Sequence, residues 1–166
     1  MRELYIKEHM FSMRGKFSVK DAEEQDVYFA EGSFLKVPKV YTIKDIENHE
    51  VGRIIKEVFT FLPKFTVEVD GREITKIKKE LTFFKPRYTI EAAGIEVSGD
   101  WWGMDFEVYQ DGELIGEVNK KWFSWGDSYQ VKVLDESMET LMISLVVAID
   151  CVKADQSAAA AATPDF

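Results

Sequence analysis

The side chains of this chain that are equipped for chemistry are two histidines, one cysteine and thirty aspartates and glutamates. His9 and His49 have no metal-ligand spacing to each other or to Cys151, so the pattern points to no metal centre and both histidines read as solvent-exposed. Cys151 sits in an apolar run with no base nearby in sequence. A thiol there behaves as a small buried hydrophobe rather than a nucleophile. No Gly-rich phosphate loop, nucleophile elbow or zinc helix occurs. The pattern supplies no catalytic residues and calls for no cofactor. Most carboxylates fall on the polar side of alternating segments, the ordinary place for solvated charge. Asp150 is the exception, a carboxylate on an otherwise apolar helix. It marks either the point where that helix meets water or a polar ligand contact.

Two further groups suit binding rather than catalysis. The chain has a net charge of −9, which disfavours nucleic acid as a partner. Against that background six cations, Arg72, Lys76, Lys78, Lys79, Lys85 and Arg87, crowd into one stretch with two acids, Glu73 and Glu80. Such a cluster suits the headgroup of an anionic phospholipid, or else forms a solvated face paired with acids across a sheet. Trp122 and Trp125 close another short segment and are candidate interface aromatics for a membrane or protein partner.

The elements that must position these groups are repeated. Lys56-Glu57-Val58-Phe59-Thr60-Phe61-Leu62-Pro63-Lys64-Phe65-Thr66-Val67 aligns without a gap on Lys79-Glu80-Leu81-Thr82-Phe83-Phe84-Lys85-Pro86-Arg87-Tyr88-Thr89-Ile90. Related copies begin at Lys7 and Lys120, and weaker ones end at Ile43 and Val108. The aromatic anchors are Phe17, Tyr41, Phe65, Tyr88, Phe106 and Tyr129. Each is followed by strict alternation, as in Phe65, Val67 and Val69 against Thr66 and Glu68, which predicts strands with one buried and one wet face. Asp70-Gly71 and Asp111-Gly112 suit tight hairpins. Ile74 and Ile77, three apart, predict a bulge. Six hairpin units give about 12 strands, more than an open twisted sheet usually carries.

The choice between a sandwich and a barrel falls to the C-terminal segment. From Leu141 to Val152 only Ser144 and Asp150 interrupt an apolar run. A helix apolar on every side must be buried on every side. A 12-stranded barrel is too wide to be filled by its own side chains, so barrel and helix explain each other. A membrane anchor is the weaker alternative. The run falls short of the ~20 residues a bilayer needs, so no transmembrane span is expected. The expected architecture is therefore mostly β: a closed antiparallel barrel of six hairpins around a central apolar C-terminal helix. Residues 1–153 form one domain and 154–166 a flexible tail, and the start of the chain reads as that of a cytoplasmic protein.

This pattern resembles the tubby C-terminal-like fold. The stretches Phe83-Phe84-Lys85-Pro86-Arg87-Tyr88-Thr89-Ile90 and Lys120-Lys121-Trp122-Phe123-Ser124-Trp125 are similar to bacterial members of the LURP-one-related family, as are Tyr5-Ile6-Lys7-Glu8-His9-Met10-Phe11-Ser12 and the helix after Asp135. The resemblance implies a tubby-like barrel with membrane or phosphoinositide association and carries over no catalytic residue. The functional expectation is a non-enzymatic intracellular binding module, peripheral to the membrane, for a phospholipid headgroup or a protein. The alternatives are an enzyme with a carboxylate-based site at the barrel mouth near Asp150, or a purely structural, stress-related interaction protein.

Overall fold

Alternation of apolar and polar residues folds the chain into twelve antiparallel strands. The computed structural model describes residues 1–7, 16–33, 39–57, 64–80, 87–92, 94–123 and 126–162, with backbone alone for 16–17, 80, 87–88, 92, 122–123, 126–127 and 157–162. The strands are β1 Arg2–Lys7, β2 Lys16–Asp21, β3 Asp26–Gly32, β4 Lys39–Asp45, β5 Glu50–Glu57 and β6 Lys64–Val69. They continue as β7 Arg72–Glu80, β8 Arg87–Ala92, β9 Ile95–Asp100, β10 Asp105–Gln110, β11 Glu113–Phe123 and β12 Gly126–Val133. A 3-10 turn, Glu136–Met138, then leads into the helix α1, Glu139–Ala162.

Each strand pairs with its sequence neighbour, and β1 pairs with β12, which brings the sheet round on itself. The expected closure is incomplete. β8 and β9 are the two ends of the sheet order and share no ladder among the described residues. The carbonyl of Gly94, in the turn between them, is taken by the backbone N–H of Asp111 at 2.8 Å. That bond extends the β9–β10 ladder by one residue into the turn.

Antiparallel order puts all the tight hairpins at one end of the barrel. Asp70-Gly71 and Asp111-Gly112 have the positive φ angles expected of them. In four hairpins the register slips by one residue just after the turn, leaving Val27, Val51, Ile74 and Ile115 as the extra residue. The bulge read from Ile74 is thus a repeated device. Each of the four is apolar and packs on the core or lies within it, so the bulge turns a hydrophobic side chain inward under the end of the barrel.

The axis belongs to α1. Every residue from Leu141 to Val152 is buried, against inward residues such as Leu4, Ile43, Ile54, Val67, Ile77 and Val131. The helix enters at the tight-hairpin end, where Asp135 accepts a hydrogen bond from the Ser137 N–H at 3.0 Å. It leaves at the other end. The backbone of α1 runs on past Lys153 to Ala162, into the stretch read from sequence as a tail, because alanine is the strongest helix former. No helix among the described residues is long and apolar enough to cross a membrane.

Candidate functional site

Two strand positions carry close packing against α1. Gly52 on β5 faces Ser144, whose buried hydroxyl has no hydrogen-bond partner among the described residues. Gly116 on β11 makes room for Met142. These contacts leave no space for a ligand along the axis at these levels.

The helix is fastened at both ends by polar contacts. At the entry end Glu139 is buried, and its Oε1 accepts from Arg2 Nη1 at 2.8 Å and from the Tyr28 hydroxyl at 2.6 Å. Burial, with the Glu139 carboxylate next to it, pushes the Tyr28 phenol well above its ordinary range. Toward the exit end Asp150 is buried, and Tyr129 donates its hydroxyl to Oδ1 at 2.8 Å. Asp150 therefore does not mark where the helix reaches water; Lys153 to Gln156, one turn later, are the half-buried residues that do. The ammonium of Lys153 lies 5.9 Å from the Tyr129 ring centre.

Aromatic anchors surround this half of the helix. Tyr41, Phe65, Phe106 and Tyr129 all point inward and are buried. The Tyr41 phenol is pushed up mainly by burial, and the Asp155 and Asp150 carboxylates near it add to this. Burial raises the Cys151 thiol well above its usual range, and the Asp150 carboxylate adds to this, so the thiol stays neutral as expected. At the rim Lys56 pairs with Asp155, and Lys79 Nζ donates to Gln156 at 3.2 Å. The exit of α1 is thus clamped from β5 and β7.

Of the six cations singled out in the sequence, the four whose side chains are described lie along β7, from the entry end to the exit rim. Arg72 is exposed at the entry end. Lys76 pairs with Glu73 at 3.1 Å and Lys78 with Glu91 at 2.7 Å on the outer wall. The Glu73 carboxylate raises the Lys76 ammonium, and Lys78 lowers the Glu91 carboxyl. Lys79 is at the exit rim, where β8 begins with Arg87. Lys85, Trp125 and His9 lie outside the described residues, as do the side chains of Arg87 and Trp122.

Two features escape a reading of sequence alone. Asp45, Glu47 and His49, at the β4–β5 turn, bring one ligand atom each within 4.8 Å of the others. Asp45 Oδ1 also accepts the backbone N–H groups of Glu47 and His49, both at 2.9 Å. These bonds organise an exposed turn and hold the Asp45 carboxyl below its ordinary range. The i, i+2, i+4 spacing of the three was the available signal. The other feature is an open groove of about 340 Å³ on the outside of β3, β4 and β5, lined by Glu31, Ser33, Thr42 and Arg53 among others.

Comparison with known proteins agrees with this architecture. The LURP-one-related family pattern matches residues 2–150. The uncharacterised protein YxjI of Bacillus subtilis (strain 168) is 30% identical over 153 residues, covering 92% of this chain and 94% of YxjI. An Arabidopsis thaliana protein solved by X-ray crystallography superposes with a TM-score of 0.61 at 14% identity, covering 92% of this chain and 91% of the other. The tubby-like barrel expected from the repeats is the fold observed.

Proposed function

The chain belongs to the LURP-one-related family, and on that premise we propose that it is a non-enzymatic binding module that engages its partner, a phospholipid headgroup or a protein, with the outside of the barrel. The observation behind this reading is the filled axis: α1 is buried from Leu141 to Val152 against the inward faces of the strands. A barrel of this width that carried its ligand inside would need that volume. Here the chain itself occupies it, and both ends of α1 are tied down by Arg2, Tyr28, Lys56 and Lys79. The groups of chemical interest near the exit, Asp150 and Cys151, are turned inward and buried, an arrangement for holding a helix rather than for turning over a substrate. The module acts in the cytoplasm, peripheral to the membrane.

Hydrogen exchange of the full chain, with and without vesicles containing anionic lipid, tests the reading. The expected result is that the amides of α1 keep their protection when the vesicles are added, while changes fall on strand ends and connections. Loss of protection along 141–152 would mean that the barrel empties to take up lipid, and would refute engagement by the outer surface.

A further inference from the structure

The wall of the barrel is interrupted between β8 and β9. The two strands follow each other in sequence yet share no ladder, and they come near each other at few positions. Each is therefore an edge strand, with a row of main-chain groups turned away from its neighbour in the sheet. On β9 the row can be assigned. The Gly94 carbonyl accepts from the Asp111 N–H, and the register continues with Glu96 opposite Tyr109 and Ser98 opposite Glu107. Antiparallel ladders alternate, so the main-chain groups of Glu96 and Ser98 face β10, and those of Ile95 and Val97 face the gap. Gly99, at φ 111°, ends the regular edge.

Side chains at the gap differ from those of the rest of the wall on both faces. Inward residues of the neighbouring paired strands, Ile77, Phe106 and Val108, are at most 3% exposed. Ile90 on β8 lies opposite Ile77, and Val97 on β9 opposite Val108, so both point inward with them. Yet Ile90, Ile95 and Val97 are only half-buried. Behind Ile95 an apolar cleft runs in to Leu141 and Leu145 of α1.

Outside, the wall beside the gap is acidic. Glu96, Glu107 and Glu117 stand on β9, β10 and β11 around Tyr109, whose hydroxyl donates to Glu107 Oε2 at 2.7 Å. That bond raises the Tyr109 phenol, and the charges of all three carboxylates add to it. Glu107 lies directly opposite Glu117, and Asp105 opposite Asp100. Like charges facing each other across a ladder weaken it, so stability gives no reason for this arrangement. Glu117 has Lys132 at 3.7 Å, but among the described residues Glu96 and Glu107 form no ion pair. Acids alone would attract any cation; the open edge next to them selects a polypeptide.

A strand laid along β9 supplies what each feature lacks. It brings main-chain partners for Ile95 and Val97, apolar side chains to cover Ile90 and Val97, and cations for the carboxylates. Alternation places the last two on opposite faces of one strand. A second copy of this chain does not fit, because its own β9 would bring Glu96 and Asp100 up to the acidic wall. We propose that the β9 edge is a docking site for an extended segment of a partner protein, of alternating apolar and basic residues, which adds to the sheet as an antiparallel strand. The proposal rests on the outside-binding reading above and narrows its partner to a protein.

The test titrates the full chain with an end-blocked peptide as long as β9, of alternating valine and lysine, and follows amide exchange. The expected result is binding that weakens with salt, with added protection at the Ile95 and Val97 amides while α1 keeps its own. Two N-methylated forms, on the valines or on the lysines, separate pairing from charge, because these N–H groups lie on opposite edges of the peptide; one form should lose binding. The Glu96→Lys/Glu107→Lys/Glu117→Lys variant should lose affinity roughly tenfold or more. The same charge change at the entry end, Glu23→Lys/Glu24→Lys/Glu47→Lys, should change it less than about twofold. Val97→Pro removes an N–H that β10 does not use and should abolish binding through the edge alone. Thermal melts verify that the variants fold, and the methylated peptides test pairing without them. Absence of binding at low salt, equal binding of a valine–glutamate peptide, or full binding by both methylated forms overturns the proposal. Protection of Ile95 and Val97 that appears without peptide and grows with protein concentration overturns the partner in favour of a second copy. Failure of the outside-binding reading itself would show separately, as deprotection of α1.

Discussion

Gly52 and Ser144 form a contact whose energetics can be worked out and tested. A Cβ on residue 52 would lie 2.5 Å from Ser144 Oγ, while its next neighbours, Ile43 Cδ1 at 3.4 Å and the Glu68 carbonyl at 3.5 Å, are in ordinary contact. Gly52→Ala is therefore overpacked against a single atom. Overpacking costs about 1–3 kcal/mol, offset by about 0.5 kcal/mol because alanine suits a strand better than glycine. That hydroxyl is buried without a hydrogen-bond partner among the described residues, so Ser144→Ala removes an unmet polar group and should stabilise by about 1 kcal/mol. In the double variant the clash has no second atom, and the chain should be at least as stable as wild type, with a coupling of about 2 kcal/mol between the sites. Denaturant melts of wild type, both singles and the double give the cycle directly. If the two effects add to within about 0.5 kcal/mol, the hydroxyl swings aside freely, and the tight packing inferred for α1 against β5 is wrong.

Four other outcomes follow from the same geometry. Gly116→Ala should cost about 2–3 kcal/mol, because its Cβ would meet the Lys132 carbonyl at 2.8 Å as well as Met142; stability recovered by Met142→Ala in denaturant melts would contradict this, since backbone cannot be trimmed. Leu145→Asp places an unpaired carboxylate on the buried axis at a cost of several kcal/mol and should prevent folding; a soluble, cooperatively melting variant would tell against the central helix. Tyr28→Phe removes a 2.6 Å bond to the buried Glu139 carboxylate and should cost about 1.5 kcal/mol in the same melts, whereas an unchanged midpoint would mean that this end of α1 is held otherwise. The Cys151 thiol, which burial raises well above its ordinary range, keeps a proton that the unfolded chain releases. Its contribution is complete below about pH 9 and declines above it by up to about 1.4 kcal/mol per pH unit, so Cys151→Ala should flatten the alkaline limb of the stability profile.

The barrel was legible because its signals are local and repeated. Alternation after Phe65 and Tyr129 sets the inward face, Asp70-Gly71 and Asp111-Gly112 set the hairpins, and the run from Leu141 to Val152 demands a buried axis. What escaped depends on contacts between distant parts of the chain. The seam between β8 and β9 is such a case: the two strands are neighbours in sequence, yet they are the two ends of the sheet order, and no window of sequence shows that they stay unpaired. Asp150 was misplaced for the same reason: a carboxylate on an apolar helix reads as an exit until Tyr129 is seen to cover it. The cations from Arg72 to Lys79 are dense in sequence, yet a strand rises about 3.3 Å per residue, so the nine residues of β7 spread them along the height of the barrel.

The repeat itself follows the order of the strands. The aligned segments, such as Lys56 to Val67 and Lys79 to Ile90, each run from the end of an odd-numbered strand into the start of the next even one. Antiparallel order carries every such junction to one end of the barrel. The opposite junctions answer to a different demand. They turn in as few as two residues and close the core with a bulged apolar side chain at Val27, Val51, Ile74 and Ile115, a task that leaves their tips to aspartate, glutamate and glycine. Core closure accounts for the entry end.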